Sequence, residues 1–147
     1  MRSVSLRGLL LKLRLRAALP GWRKGLGSEG ERIASRHLRR RGLHILSRNF
    51  LCPFGEIDLI ASDGESLIFV EVKTRWSPQS GADVPVHPSQ QRSLAKSAQA
   101  FISLTGSSPR PCRFDVVEVT FDQTGEHRLE HTENAFQVRV RGDAAVV

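Results

Sequence analysis

Two acidic residues and a lysine are spaced so that neighbouring strands would bring them together. Residues 55–75 read as two β-strands joined by a tight turn at Asp63-Gly64. Asp58 lies on the first strand, and Glu71 and Lys73 lie two residues apart on the second. Because side chains alternate along a strand, Glu71 and Lys73 share one face, and the other face carries Ile68, Val70 and Val72. Burying unpaired charge is costly, so charged groups on such apolar strands indicate a functional site.

Metal-assisted hydrolysis of a phosphodiester is the chemistry that fits this group. Mg²⁺ takes oxygen ligands, usually one or two carboxylates with water and phosphate. Asp58 and Glu71 are therefore predicted ligands of Mg²⁺ or Mn²⁺, with the Val72 carbonyl as a third. Lys73 would orient the attacking water and offset charge that develops on the phosphoryl oxygens. The alternative is a surface hairpin in which Glu71 and Lys73 form an ion pair worth about 0–1 kcal/mol.

The positive charge of the chain is concentrated in its N-terminal segment. The 147 residues suit one domain and carry a formal net charge of +7. Residues 1–28 contain seven Lys and Arg and no acid, so the remaining fifteen bases are matched by fifteen acids. The excess predicts a polyanionic partner such as DNA. Residues 1–24 form either an amphipathic basic arm that meets phosphate or an anionic membrane surface, or a loose tail.

Cysteine usage and hydropathy indicate a cytoplasmic protein. Cys52 and Cys112 lie far apart without a CxxC spacing, which predicts reduced thiols and neither a disulfide framework nor a zinc site. No apolar run approaches the roughly 18 residues that a membrane span requires. Three basic residues, Lys12, Arg14 and Arg16, interrupt the one stretch that resembles a signal peptide.

A first helix is predicted from Ser28 to Gly42. Ser28 and Glu31 have the S-x-x-E spacing of a capping box. Apolar residues follow at helical spacing: Ile33, Ala34 and Leu38. Arg36 and Arg40 belong to a basic ridge that is either a DNA contact or a solvated helix face. Glu31 either caps Ser28 or points toward the metal site.

Short motifs in a fixed order cover residues 25–136. They are Gly27-x3-Glu31-x6-Leu38-x3-Gly42-Leu43, Asn49-Phe50, Gly55-Glu56-Ile57-Asp58-Leu59-Ile60, Phe69-Val70-Glu71-Val72-Lys73-Thr74-Arg75 and Arg113-Phe114-Asp115-Val116-Val117. This order resembles the YraN family of small bacterial proteins. That family is similar in turn to the archaeal-type Holliday junction resolvases of the PD-(D/E)xK nuclease superfamily.

The resemblance implies a restriction-endonuclease-like α/β domain over residues 25–136, with a mixed β-sheet flanked by helices in the order α-β-β-β-α-β, and a tail over residues 137–147. It also implies an endonuclease acting on branched or otherwise structured DNA. In the resolvases a helix-1 glutamate belongs to the active site, and Glu31 matches it by its spacing to Gly42. Because resolvases of this fold act as dimers, a homodimer is also implied. The other function considered is a nucleic-acid-binding protein that retains the fold without turnover.

Residues near the proposed site carry further expectations. Arg75 is predicted to contact phosphate, and Trp76 either contacts a base or packs at the root of the loop. Glu56 alternates onto the face of Asp58 and is expected to be an exposed strand residue. The resembling family usually has a lysine near the start of the second helix, where this chain has Gln90 or Gln91.

Two expectations concern the last strands. Asp115 is predicted to be structural and to pair with Arg113. His127 and His131 fall on one face of a polar strand over residues 127–132, and without further ligands both are expected to be solvated.

Overall fold

Two helices and five strands make up the described part of the chain. The computed structural model describes residues 26–76, 86–106 and 110–138. The elements are α1 (Leu26–Arg40), β1 (His44–Cys52), β2 (Gly55–Ser62), β3 (Leu67–Trp76), α2 (Pro88–Thr105), β4 (Cys112–Phe121) and β5 (His127–Phe136). The segment over residues 1–24 lies outside the described residues, as do the loop over residues 77–85 and nearly all of the C-terminal tail.

The strands form one mixed sheet in the order β1-β2-β3-β4-β5. Neighbouring strands are antiparallel except for β3 and β4, which run parallel. Parallel strands cannot be joined by a hairpin, so α2 makes the connection between them. The predicted α/β class with a mixed sheet is confirmed, and β1 and β5 are the two edge strands of this sheet. The predicted element order stopped one strand short, because the polar strand over residues 127–132 extends to Phe136 and joins the sheet.

A helix covers each face of the sheet. On the α2 side, Phe69 packs with Phe101 and Phe114, and on the α1 side Val70 packs with Leu38. The predicted alternation of β3 is therefore confirmed: Phe69 faces α2, whereas Ile68, Val70 and Val72 face α1. None of the described helices is long and apolar enough to cross a membrane.

The start of α1 approaches β3 closely. A Cβ at Gly30 would overlap the Thr74 Oγ1 and lie 3.1 Å from the Thr74 Cβ. The described helix already includes Leu26, so Ser28 lies inside it and not at its N-cap. The capping box predicted from Ser28 and Glu31 is therefore wrong. Because Gly30 fits against β3, the neighbouring Glu31 is brought to the same end of the sheet as the strand carboxylates.

Helix α2 begins and ends as the sequence predicts. Pro88 occupies its first turn, and the His87 side chain accepts a hydrogen bond from the Ser89 amide. Gly106 adopts a left-handed conformation with φ of 59°, which glycine tolerates and which ends the helix. Cys52 and Cys112 are free thiols, as predicted.

Candidate active site

The antiparallel pairing of β2 with β3 places Asp58 beside Glu71. Leu59 pairs with Val70 across the two strands, and the next position in this register sets Asp58 opposite Glu71. The Asp58 Oδ2 accepts a hydrogen bond of 2.8 Å from the Val72 amide. The negative charge of Glu71 also acts on Asp58, as expected for two carboxyl groups that lie close together. The sequence-predicted pair of acids therefore meets in the fold.

Lys73 and the first turn of α2 complete this group. The Lys73 Nζ lies 3.3 Å from the Glu71 Oε1. Gln90 joins the two side chains, because its Nε2 donates to the Glu71 Oε1 at 2.7 Å and its Oε1 accepts from the Lys73 Nζ at 3.2 Å. Gln90, not Gln91, is therefore the glutamine that contacts Glu71 and Lys73. The Gln91 side chain donates instead to the Val86 carbonyl.

Both carboxyl groups resist ionisation. Burial is the largest cause and the negative charge of Glu71 is the second; together they raise the pKa of Asp58 to about 7 against the lowering effect of the Val72 amide. Burial also raises the pKa of Glu71, although Lys73 and Gln90 oppose that effect. If both carboxyl groups were ionised, their two negative charges would exceed the single positive charge of Lys73.

Two further acids lie at the rim of this group. The Asn49 Nδ2 donates to the Glu31 Oε2 at 3.0 Å and to the Glu56 Oε1 at 3.2 Å. Asn49 has a φ of 49°, which a short amide side chain tolerates better than most. The charges of Glu31 and Glu56 both contribute to the raised pKa of Asp58. Glu56 is half-buried and hydrogen-bonded, so its expected role as a merely exposed strand residue is wrong.

The arginines assigned to nucleic acid from the sequence differ in their surroundings. Arg36 and Arg40 are exposed on α1. The Arg75 guanidinium instead pairs with the Glu118 Oε1 at 2.9 Å, and both side chains are largely buried. Trp76 is half-exposed and packs at a tilt against Phe121, with ring centroids 5.8 Å apart.

A second acidic group lies on the α1 side between β4 and β5. Asp115 is fully buried and accepts hydrogen bonds from Arg113 at 3.0 and 3.2 Å, from the Asn134 amide at 3.0 Å and from the His131 Nε2 at 2.9 Å. Although burial opposes it, these bonds hold the pKa of Asp115 below its usual value. The predicted pairing of Asp115 with Arg113 is confirmed.

His131 is not the solvated residue that the sequence predicted. Its side chain is almost fully buried, and its Nδ1 lies 3.1 Å from the Nε2 of His37 on α1. Alternation alone could not reveal this, because the partners come from an earlier helix and a neighbouring strand. His127 is exposed, as expected, and its ring contacts Phe121.

A divalent ion with few protein ligands fits the Asp58 and Glu71 pair. Among the described residues, no group of three or more His, Cys, Asp or Glu could hold a metal ion. Mg²⁺ nevertheless binds through one or two carboxylates and keeps several waters. Asp58 and Glu71 would offer such an ion two carboxylates as hard oxygen ligands. The Val72 carbonyl stays a prediction as the third ligand; its amide is occupied by Asp58.

The arrangement of the sheet and helices is consistent with a restriction-endonuclease-like α/β protein, in which paired acids and a lysine lie at the sheet. Comparison with known sequences identifies the family. The profile of the uncharacterised protein family UPF0102 matches residues 30–119, and the chain belongs to this family.

Curated relatives agree with this assignment. A UPF0102 protein of Pelotomaculum thermopropionicum is 44% identical over 116 residues, which cover 78% of this chain and 97% of the relative. One of Symbiobacterium thermophilum is 45% identical over 112 residues, 76% of this chain and 95% of the relative. One of Chlorobaculum tepidum is 40% identical over 129 residues, 84% of this chain and 98% of the relative. UPF0102 is the YraN family that the sequence motifs resemble, so the predicted family is confirmed.

Proposed function

We propose that this protein is a metal-dependent endonuclease that hydrolyses phosphodiester bonds in DNA, with branched or otherwise structured DNA as its substrate. The observation that carries the proposal is the meeting of Asp58, Glu71 and Lys73 in one half-buried group. Lys73 and Gln90 both contact Glu71, whereas Asp58 accepts a backbone amide and is affected by the negative charge of Glu71. A structural ion pair would not need the second acid.

Each side chain of this group would have a separate role in phosphodiester hydrolysis. Asp58 and Glu71 would hold Mg²⁺ or Mn²⁺, which supplies Lewis-acid polarisation of the phosphate and a more acidic water. Lys73 would hold the attacking water and stabilise negative charge on the phosphoryl oxygens. Gln90 would keep the Lys73 ammonium and the Glu71 carboxylate at fixed positions. Glu31, which Asn49 holds, would act as an accessory acid at the rim.

Charge on the surface supports a DNA partner. Arg36 and Arg40 lie exposed on α1, the helix that also carries Glu31. The net charge of +7 favours any polyanion, and phosphate contacts supply most of the non-specific affinity for DNA. A homodimer, as in resolvases of this fold, would place two such sites on one branched substrate.

The direct test is cleavage of labelled branched, flap, single-stranded and duplex DNA in Mg²⁺, in Mn²⁺ and in EDTA. Wild-type protein should cleave at least one of these substrates only when a divalent ion is present. Glu71→Gln and Lys73→Ala should each lower the rate at least about a hundredfold, as for the loss of one preorganised electrostatic group. DNA binding by both variants should change little, because both groups act on charge of the transition state.

Matched controls use exposed residues away from the group. Glu65→Gln, in the turn between β2 and β3, and Lys96→Ala, on α2, change the same charges and should keep wild-type rates. Cleavage that survives both Glu71→Gln and Lys73→Ala would come from a contaminating nuclease or another site, and would overturn the proposal.

A second candidate function is DNA binding without turnover. Gln90 favours it, because the glutamine that contacts Glu71 and Lys73 is neutral. The resembling family usually carries a lysine near the start of this helix, where this chain has Gln90 or Gln91, so the group would have one cation fewer. DNA binding by wild-type protein with no cleavage in any of these conditions would support this alternative. Gln90→Lys would then test whether the missing cation accounts for the lost activity.

A further inference from the structure

The turn between β1 and β2 is fixed to the same helix that supports the proposed active site. The Ser93 hydroxyl on α2 donates to the Phe54 carbonyl, and the Cys52 thiol lies 3.3 Å from the Ser97 hydroxyl. Gln90, Ser93 and Ser97 occupy positions i, i+3 and i+7, so they follow one face of α2. The first holds Glu71 and Lys73, and the other two hold the turn.

The fit between this turn and α2 is close. Gly55 has a φ of 142°, and a Cβ at this position would lie 2.8 Å from the Ser93 Oγ. A side chain at position 55 would therefore push the turn away from the helix. Ser93, which binds the Phe54 carbonyl, lies one helical turn after Gln90 on α2. The helix therefore fixes the position of the Phe54 backbone relative to Gln90.

Two large apolar side chains are nevertheless open to solvent at this turn. Phe54 is 51% exposed and Leu51 is 71% exposed. Isolated exposed apolar residues are ordinary, but Leu51 lies near this turn at the end of β1, and Phe54 is bonded through its carbonyl to Ser93, one helical turn from the Gln90 that contacts Glu71. Two side chains cannot supply the roughly 800 Å² per partner of a stable protein interface. An aromatic ring next to a phosphate site has a smaller natural partner, the face of a nucleobase.

We propose that Phe54 stacks on an unpaired base next to the phosphate at the metal ion that Asp58 and Glu71 would hold, so that the substrate class is DNA with single-stranded character at the cleavage point. This inference rests on the proposed function and names the feature of structured DNA that the site recognises. A base inside a continuous duplex keeps both faces stacked on its neighbours and offers none to Phe54. A base at a fork, flap or junction has a free face.

Binding by the full-length chain to two labelled DNAs tests the proposal: a forked duplex and the same duplex fully paired. Anisotropy is measured in Mn²⁺ with Lys73→Ala as the parent, so that cleavage is slow. Adding Phe54→Ala should weaken binding to the fork about tenfold, the size expected for loss of one base-aromatic stack, and leave duplex binding within about twofold. Phe54→Trp should retain the preference for the fork, whereas Phe54→Leu should lose most of it.

Leu104→Ala is the matched control. Leu104 is 62% exposed on α2 but lies fourteen residues beyond Gln90, about 21 Å along the helix axis. The Leu104→Ala variant should bind both the forked and the fully paired DNA with the affinity of the parent. A fluorescent 2-aminopurine at the first unpaired position of the fork should be quenched by the parent and by Phe54→Trp, and much less by Phe54→Ala. All four variants, at positions 54 and 104, should keep the parent melting temperature, because these positions are exposed.

The outcomes separate this inference from the proposed function. Equal loss of affinity for fork and duplex, or no loss for either, would overturn stacking by Phe54 while leaving the nuclease proposal intact. A dimer that Phe54→Ala converts to monomer in light scattering would overturn it in favour of a second copy of this chain. Wild-type protein that neither binds nor cleaves any of the DNAs would overturn both.

Discussion

Asp58 is a half-buried and Asp115 a fully buried aspartate on the two strands that flank β3, and their surroundings differ. Asp115 accepts hydrogen bonds from a guanidinium, an imidazole and a backbone amide, and its pKa is lowered. Asp58 accepts one backbone amide and faces Glu71, and its pKa is raised to about 7. The first acid is compensated within the fold and stabilises it. The second is not, so it weakens the fold until a cation arrives.

The largest change in stability is expected from a substitution at Asp115. Asp115→Asn should lower the free energy of unfolding by about 3 kcal/mol, because Arg113 and His131 lose the charged acceptor that compensates them. Urea unfolding at pH 7 measures the change. Asp58→Asn, measured alongside in EDTA, should raise stability, since it removes repulsion at nearly constant volume. A loss below about 1 kcal/mol at Asp115 would mean that solvent already screens this group.

Divalent ions should stabilise the protein through Asp58. Mn²⁺ at a hundredfold excess over its Kd should stabilise the wild type by about 2.7 kcal/mol through ligand linkage. Asp58→Asn should lose most of this response, whereas Glu65→Gln should keep it. Melting curves in EDTA and in Mn²⁺ at matched ionic strength measure both. A wild type that ignores Mn²⁺ over a wide concentration range would contradict the metal site.

The pH dependence of stability should distinguish the two aspartates with a smaller effect. Asp58 has a raised pKa, so the native state keeps a proton that the unfolded state has lost, and stability falls as pH rises from the ordinary value of 3.8 to about 7. In EDTA, the wild type should lose about 1–2 kcal/mol relative to Asp58→Asn across this window, because Asp58 and Glu71 titrate as a pair and share the effect. Urea unfolding at several pH values measures it.

Asp115 should act with the opposite sign. Its pKa is lowered, so its contribution is present above the ordinary value and is lost as pH falls toward the lowered one. The difference between wild type and Asp115→Asn should therefore shrink in acid, while the penalty from Asp58 disappears. Parallel pH profiles for the two variants would contradict the assignment of one compensated and one uncompensated acid.

The sequence predicted the elements better than the contacts between them. Alternation in β3 and the turn at Asp63-Gly64 are local patterns, so the hairpin and its faces followed directly. The hydrogen bonds from Gln90 to Glu71 and Lys73 depend on how α2 packs against the sheet. This packing is a contact between distant parts of the chain, so no local sequence pattern predicts it. The same holds for His131, whose partners His37 and Asp115 are brought together only by the packing of α1 against β4 and β5.

The smallest expected effects separate the arginines assigned to DNA. Arg40 is exposed, whereas Arg75 is held by Glu118, and this ion pair would have to open before Arg75 met a phosphate. Arg40→Ala should therefore reduce the slope of log K against log salt by about 0.7–0.9, the value for one phosphate contact, and Arg75→Ala should change it much less. Arg128→Ala, on the edge strand β5, is the exposed control and should leave the slope unchanged. If Arg75→Ala lowers the slope in full while Arg40→Ala does not, DNA reaches the chain through the end of β3 and not along α1, and the exposed ridge is only a solvated helix face.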